Sequence, residues 1–494
     1  MYIPPLFPTL TMLLNIIFAL VVVFYERRNA AVTWAWLMVI AVIPFGGFVL
    51  YLIFGRDGRQ HRVFAEKSQR DEELLIRYLE MEEHADTFWR QQTRYVSQEN
   101  IMQMQGAEHM NDLVYLNFFA GNGAFTSNNH LSMYHDGNSA FESLMADIAA
   151  AKHYVHIQYY IFRNDSTGRC LIAALAEKAR QGLEVRLLID GMGNVLNARS
   201  LYKPLLEAGG QLGVFLPPHF IRINFRNHRK IAVMDGKIGH IGGMNIGDEY
   251  LGLSKRFGYW RDTHLRLTGD GVHHLTLRFM MDWNFVNSTK PSKAMELNNR
   301  YFPMGKPYIS GSGVRMQIVC SGPDTRYPSI LYGYNKMMTE ANKSIYIQTP
   351  YFVPDESMFV LLRMAALAGL DVRIMIPANP DHPFVYWAAL SYLGDLLESG
   401  VRCYEYQNGF IHSKTLMIDG KVCSIGTANM DVRSFKLNFE SNAFIYDEHT
   451  TKELEEAFMQ DTAHCRQLTL SNYQNRSHLT KIKESLSRLL SPLL

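Results

Sequence analysis

Hydrophobic and polar positions divide this chain into two unlike parts. Residues 1–25 carry no charged side chain, and Phe7 to Tyr25 is long enough to cross a bilayer as a helix. Glu26-Arg27-Arg28 interrupts. Trp34 to Phe54 is then a second uncharged run of 21 residues, about 30 Å as a helix. Trp34 and Trp36 stand at one end and Tyr51 at the other, as in an interfacial aromatic belt. A cleaved signal would need a basic leader and a small-residue cleavage site, and neither precedes or follows the first run. Residues 1–60 are therefore expected to form a membrane hairpin of two helices, at about 7–25 and 34–54. Arg27 and Arg28 in its loop, and Arg56, Arg59, Arg62, Lys67 and Arg70 beyond it, place the rest of the chain on the cytoplasmic face.

Arg56 to about Ala107 is rich in Glu and Arg and predicts a solvated helical connector, 61–110 in the domain division. Beyond it the pattern changes. Apolar runs of four to eight residues alternate with Ala- and Leu-rich stretches such as Cys170 to Gln181 and Met358 to Ala368. Short apolar runs read as buried strands, and the longer stretches between them as helices. Such alternation predicts an α/β architecture. In the tail, Leu479, Ile482, Leu486, Leu489 and Leu493 recur at helical spacing opposite Lys481, Lys483 and Arg488. That amphipathic stretch suits either a bilayer surface or packing on the core.

The strands and helices occur twice. Ala151 to Gln158 answers Ala341 to Gln348, each leading to an Asp, Asp165 or Asp355. Gly182 to Ile189 answers Gly369 to Ile376, and Leu206-Glu207-Ala208-Gly209 answers Leu397-Glu398-Ser399-Gly400. The strongest match is His228-Arg229-Lys230 to Asp235 against His412-Ser413-Lys414 to Asp419. Both continue through Asp-Gly-Lys to an Asn, Asn245 or Asn429. His to His and Asn to Asn are the same 184 residues apart, so this is an internal repeat. Two pseudo-symmetric halves follow, 111–295 and 296–494, each a mixed β-sheet flanked by helices. Asp235-Gly236 and Asp419-Gly420 are hairpin turn signals. Side chains alternate along a strand, so His228 and Lys230 share a face and Asp235, an odd step away, does not. His and Lys would do chemistry while Asp holds the turn.

Net charge is +2, with 49 basic and 47 acidic residues, which excludes a nucleic-acid-coating protein. Arg222, Arg226, Arg229 and Lys230 nevertheless crowd the first motif as a phosphate-attracting rim. Five dispersed cysteines, with no Cys-x-x-Cys, argue against a disulfide framework and against zinc. A phosphodiester suits the paired motif. Lys230 and Lys414 would neutralise its non-bridging oxygens. One imidazole would attack phosphorus and the other would protonate the leaving alkoxide, then activate the acceptor. An ammonium beside each imidazole would repel a cation, so neither metal nor other cofactor is expected. Each imidazole needs an acceptor for its second ring nitrogen. Glu440 is the candidate for His412, and Asp262 for His228. Asn245 and Asn429 are candidates to line the phosphate pocket or to shape a turn.

At these residues the chain resembles the phospholipase D superfamily, whose signature is the duplicated His-x-Lys-x-x-x-x-Asp. More closely it resembles bacterial cardiolipin synthases with two membrane helices. Supporting segments are Glu26 to Asn29, Leu52 to Arg56, Asn227 to Lys230, Gly242 to Asn245, Trp260 to Thr263, Gly426 to Ser434 and Arg488 to Leu494. The resemblance implies transfer of a phosphatidyl group from one phosphatidylglycerol to another, giving cardiolipin and glycerol at the plasma membrane. It also implies His228 as nucleophile and His412 as acid and base, a choice the repeat itself leaves open. A hydrolase, or transfer to another alcohol, would use the same site. The implied partners are phospholipids and the bilayer, not nucleic acid, and a homo-oligomer is compatible with the sequence.

Overall fold

The computed structural model describes residues 13–14, 16–20, 23–24, 30–43, 46–51, 62–80, 110–216, 224–303, 313–489 and 491. The first half contributes β1 (Phe125–Asp136), β2 (Tyr154–Tyr159), β3 (Glu184–Asp190), β4 (Gln211–Phe215), β5 (Arg226–Asn227), β6 (Ile231–Met234), β7 (Ile238–Gly242) and β8 (Trp260–Gly269). The second contributes β9 (Val314–Ser321), β10 (Ser344–Gln348), β11 (Phe352–Val353), β12 (Asp371–Pro377), β13 (Arg402–Tyr406) and β14 (Phe410–Ile411). It continues with β15 (Thr415–Ile418), β16 (Val422–Gly426), β17 (Met430–Asp431), β18 (Asn438–Ile445) and β19 (Cys465–Leu468).

β11 and β17 pair only with each other. The other strands form one mixed sheet that reads the same from its middle outward. β1 pairs with β9 at the centre. From β1 the order runs β8, β7, β6, β2, β3, β4. From β9 it runs β18, β16, β15, β10, β12, β13, with β19 added at the edge. The three outer strands of each series are parallel and the inner pairs antiparallel. Helical crossovers explain the parallel part. Ser166–Arg180 and Glu356–Leu367 occupy equivalent places, and Asp165 and Asp355 cap them by accepting from Gly168 N and Met358 N. Both capping residues satisfy donors that a helix start leaves free.

The hairpin turns form as expected. Asp235 and Asp419 adopt φ of 54° and 56°, and Gly236 and Gly420 both adopt 65°. Positive φ at both central residues is the requirement of a type I′ turn.

Three expectations change. The second apolar run is helical over Ala30–Val42 and again over Gly46–Leu50, not continuously to Phe54. Residues 44–45, between the two helices, lie outside the described residues. Most of the first run lies outside the described residues, though 16–20 are helical. Among the described residues no helix is long and apolar enough to cross a membrane. The two runs do meet, with Phe18 stacked on Phe48 at 3.6 Å between ring centroids and Trp36 edge-on to Tyr51.

The connector is a helix, Arg62–Leu79, solvated on one face as expected but packed against the protein on the other. Lys67 is buried and bonds Asp324 at 2.7 Å and Asp71 at 2.6 Å, with Asp282 at 3.2 Å. Phe64 packs edge-on against Phe225 and Phe439. The rest of the connector, 81–109, lies outside the described residues. Finally, the basic rim does not form as read. Arg229 and Lys230 are fully buried, Arg229 on Asp282 at 2.7 Å, and Arg222 lies outside the described residues.

Candidate active site

Two short parallel pairings bring the motifs together. β5, immediately before His228, pairs with β18 so that Asn227 faces Phe439. β14, immediately before His412, pairs with β8 so that Ile411 faces Arg261. The backbones stay in register one residue further, where His228 N donates to Phe439 O and His412 N donates to Arg261 O. Each histidine thus arrives beside a carboxylate of the opposite half. His228 Nδ1 lies 3.0 Å from both Glu440 oxygens, and His412 Nδ1 lies 2.7 Å from Asp262 Oδ2.

This corrects the pairing expected from the sequence, which joined Glu440 to His412 and Asp262 to His228. Both carboxylates are the third residues of equivalent strands, β18 and β8. The cross-half strand pairing decides which imidazole each meets. The two sites also mesh through Thr263, whose hydroxyl donates to Ser413 Oγ at 3.1 Å.

The carboxylates are held in place by different means. Glu440 accepts from Thr427 Oγ1 at 2.5 Å and from Asn438 Nδ2 at 3.1 Å. Asp262 accepts from the Thr263 amide at 2.7 Å. Gly243, the counterpart of Thr427, makes room for it: a Cβ there would lie 2.0 Å from Asp262 Oδ1. Burial opposes ionisation of both carboxyls. The imidazoles and lysines beside them nevertheless hold both below their ordinary range.

Burial likewise pulls both imidazoles down to about 4; Glu440 and Asp262 oppose it, and the lysines reinforce it. The Lys414 charge acts on His228 and the Lys230 charge on His412, so the two motifs share one electrostatic site. Lys414 is lowered to about 8, and Lys230 well below its usual value, by burial first. Each lysine donates to the carbonyl of its own histidine, Lys230 Nζ to His228 O at 2.7 Å and Lys414 Nζ to His412 O. That bond fixes each ammonium beside its imidazole. An ammonium has three donors, so two remain for a ligand.

Asp235 and Asp419 do not touch the imidazoles. Asp235 accepts from the amides of Lys152, His153 and Tyr154 at 2.8–2.9 Å. Asp419 does the same for Asn342, Lys343 and Ser344. Each ties its hairpin turn to the start of the neighbouring strand, as the alternation of side chains suggests. Asn245 accepts from Ile161 N at 3.1 Å and is occupied as a brace, whereas Asn429 has a buried amide oxygen with no partner among the described residues.

Sequence reasoning missed the polar layer beneath the motifs. Gln158 and Gln348, already matched by the repeat, donate to Asp282 and Asp461 at 2.9 and 2.8 Å. Asp282 also takes Arg229, and Asp461 takes Arg261 Nε at 2.9 Å. A glutamine at the same place in two apolar strands was the available signal.

A family described as "Cardiolipin synthase, PLD-like domain" matches residues 144–256 and 334–462, one segment per half. A second, "Phospholipase D-nuclease N-terminal", matches residues 13–56. The chain is 45% identical over 492 residues to a cardiolipin synthase of Listeria monocytogenes serotype 4b (strain F2365), covering 98% of each. It is 44% identical over 493 residues to the major cardiolipin synthase ClsA of Bacillus subtilis (strain 168), again covering 98% of each. The chain belongs to the cardiolipin synthase family. Like that family it is a phosphatidyltransferase built on phospholipase D-like repeats. A cardiolipin synthase of Staphylococcus aureus (strain Mu50 / ATCC 700699) is 45% identical over 487 residues, covering 98% of this chain and 95% of that one. Among solved structures, a phosphatidylserine synthase of Haemophilus influenzae Rd KW20 shares the fold. Its TM-score is 0.60 at 16% identity, over 77% of this chain and all of that one.

Proposed function

We propose that this cardiolipin synthase family member joins two phosphatidylglycerol molecules, releasing glycerol, through a phosphohistidine on His228. The observation that carries the reading is the pair of crossed imidazole–carboxylate bonds, each made by Nδ1. With Nδ1–H donated to a carboxylate, Nε2 is the reactive nitrogen of both rings. Neutral His228, held so by burial, attacks phosphorus through Nε2, and the bond from phosphorus to the glycerol oxygen breaks. His412, protonated in the complex where the phosphodiester charge offsets the two lysines, gives its Nε2 proton to that oxygen. Glycerol leaves. Neutral His412 then takes the proton from the terminal hydroxyl of a second phosphatidylglycerol. That oxygen displaces Nε2 of His228, and cardiolipin forms with both histidines restored.

Lys230 and Lys414 hold the non-bridging oxygens as charge builds on them, and Asn429 supplies an amide to the same pocket. Asp235 and Asp419 support the site by fixing the hairpins. Residues 1–60 anchor the chain as a hairpin in the plasma membrane, with the catalytic halves 111–295 and 296–494 on the cytoplasmic side of the connector 61–110. Trp34, Met38 and Val42 are 64, 66 and 79% exposed on the second apolar helix, as lipid-facing side chains would be.

The test uses full-length protein in vesicles containing phosphatidylglycerol labelled in the headgroup glycerol. Release of labelled glycerol with a four-chain lipid, lost in His228→Ala and in His412→Ala, is the expected result. Phosphatidic acid as the main product would replace this reading with hydrolysis.

A further inference from the structure

The helix His478–Leu489 is packed the opposite way from an amphipathic helix on a protein core. Its large apolar side chains, Leu479, Ile482, Leu486 and Leu489, are 62, 55, 57 and 77% exposed. Its buried residues are Glu484 and Ser487. Leu493, which the sequence pattern adds to the apolar stripe, lies outside the described residues. A helix seated on protein ordinarily turns its apolar stripe inward.

Specific contacts hold the inverted seating. Glu484 accepts from Arg476 Nε at 2.7 Å. Arg488 donates to Asp395 at 2.7 Å and lies 4.5 Å over the Tyr392 ring, and Lys483 stands 4.8 Å over Trp387. Asp395, Tyr392 and Trp387 all belong to the helix Pro383–Leu397. Turning the leucines inward would break every one of these contacts. On the same stripe of that helix as Trp387 and Asp395, Phe384 is also 56% exposed.

The charge around the stripe selects the occupant. Lys481 and Lys483 flank it on its two sides, Arg488 is taken up by Asp395, and the one acid of the helix, Glu484, is buried against Arg476. An apolar strip edged by cations complements hydrocarbon beneath anionic headgroups. A second copy of the helix would instead bring like charges together. We infer that the helix His478–Leu489 lies in the headgroup boundary of an anionic phospholipid bilayer and seats the second half of the molecule on the membrane. The N-terminal apolar runs then anchor one end of the chain while this helix fixes the tilt of the other. Diacyl substrates would enter the site without leaving the lipid surface.

The test places a nitroxide at Leu486→Cys in full-length protein with the exposed Cys170 replaced by Ser. The protein is reconstituted in vesicles of phosphatidylglycerol and phosphatidylcholine. The expected label collides freely with oxygen and is shielded from a water-soluble nickel chelate. Free access of the chelate, or exclusion of both reagents by a protein contact, would overturn the inference. A triple variant Leu479→Ser, Ile482→Ser, Leu486→Ser supplies the second measurement. On vesicle substrate its apparent KM rises at least about fivefold, as loss of buried apolar area at an interface predicts, with turnover of monomeric short-chain phosphatidylglycerol unchanged. Equal losses on both substrates would show a merely structural role. The spin label needs no turnover, so its result stands apart from the reaction proposed above.

Discussion

His412 and Asp262 come from opposite halves of the chain, yet Nδ1 of one lies 2.7 Å from Oδ2 of the other. His228 and Glu440 repeat the arrangement in the reverse sense at 3.0 Å. Neither half holds a complete imidazole–carboxylate pair. An imidazole without its carboxylate loses both tautomer and orientation, so Asp262→Asn and Glu440→Gln should each lower turnover by about 10²–10⁴-fold. The two differ on a phosphatidyl donor with a p-nitrophenolate leaving group, which needs no proton. Asp262→Asn should release a burst of p-nitrophenol and stall, because only His412 is impaired. Glu440→Gln should give no burst. Exchange of the two results would make His412, not His228, the nucleophile.

Asp235 and Asp419 belong to the signature but act on backbone. Each carboxylate takes three amide donors, and hydrogen bonds to a charged group contribute about 1.5–3 kcal/mol each. Asp235→Ala should therefore lower the urea midpoint of unfolding clearly. The pH profile of kcat for the folded fraction should keep its wild-type shape. A shifted profile would place Asp235 in the chemistry.

Lys67 joins the connector helix to the layer beneath the site, through Asp324 and Asp282. Removing one partner of a buried ionic cluster costs about 3–5 kcal/mol because the remaining charges stay buried. Lys67→Ala should show that loss in denaturant melts. Arg229, which shares Asp282, should be displaced enough to lower kcat as well. A neutral result would mean that the helix docks through its apolar residues Phe64, Leu74 and Tyr78 rather than through Lys67.

Acid should unfold the protein through its buried histidines. Burial holds His264 near 3 and His228, His412 and His156 near 4, against about 6.5 in an unfolded chain. Above pH 6.5 both states are neutral and stability is fully present. As pH falls from about 6.5 toward 4 the unfolded chain binds protons first, and each such histidine removes about 1.4 kcal/mol per pH unit. Neither ring nitrogen of His264 has a partner among the described residues. His264→Phe should flatten the fall in urea midpoint between pH 6.5 and 5 by about one proton. An unchanged slope would show that His264 is already charged in the fold.

Local and repetitive information in the sequence determined most of this molecule. Hydrophobic periodicity located the strands and helices, and Asp-Gly at 235 and 419 specified the hairpins, because positive φ is a property of the residues themselves. The 184-residue register between the two motifs named His228, Lys230, His412 and Lys414 before any geometry. Tertiary structure decided what those residues face. Glu440 and Asp262 were visible as candidates, but which imidazole each serves depends on β5 lying against β18 and β14 against β8. Those are two-residue pairings between segments far apart in the chain, and no periodicity records them. The buried Lys67 and the outward leucines of 479–489 have the same origin. A charge pattern shows that a helix has two faces, and only its packing partner determines which one is turned to the protein.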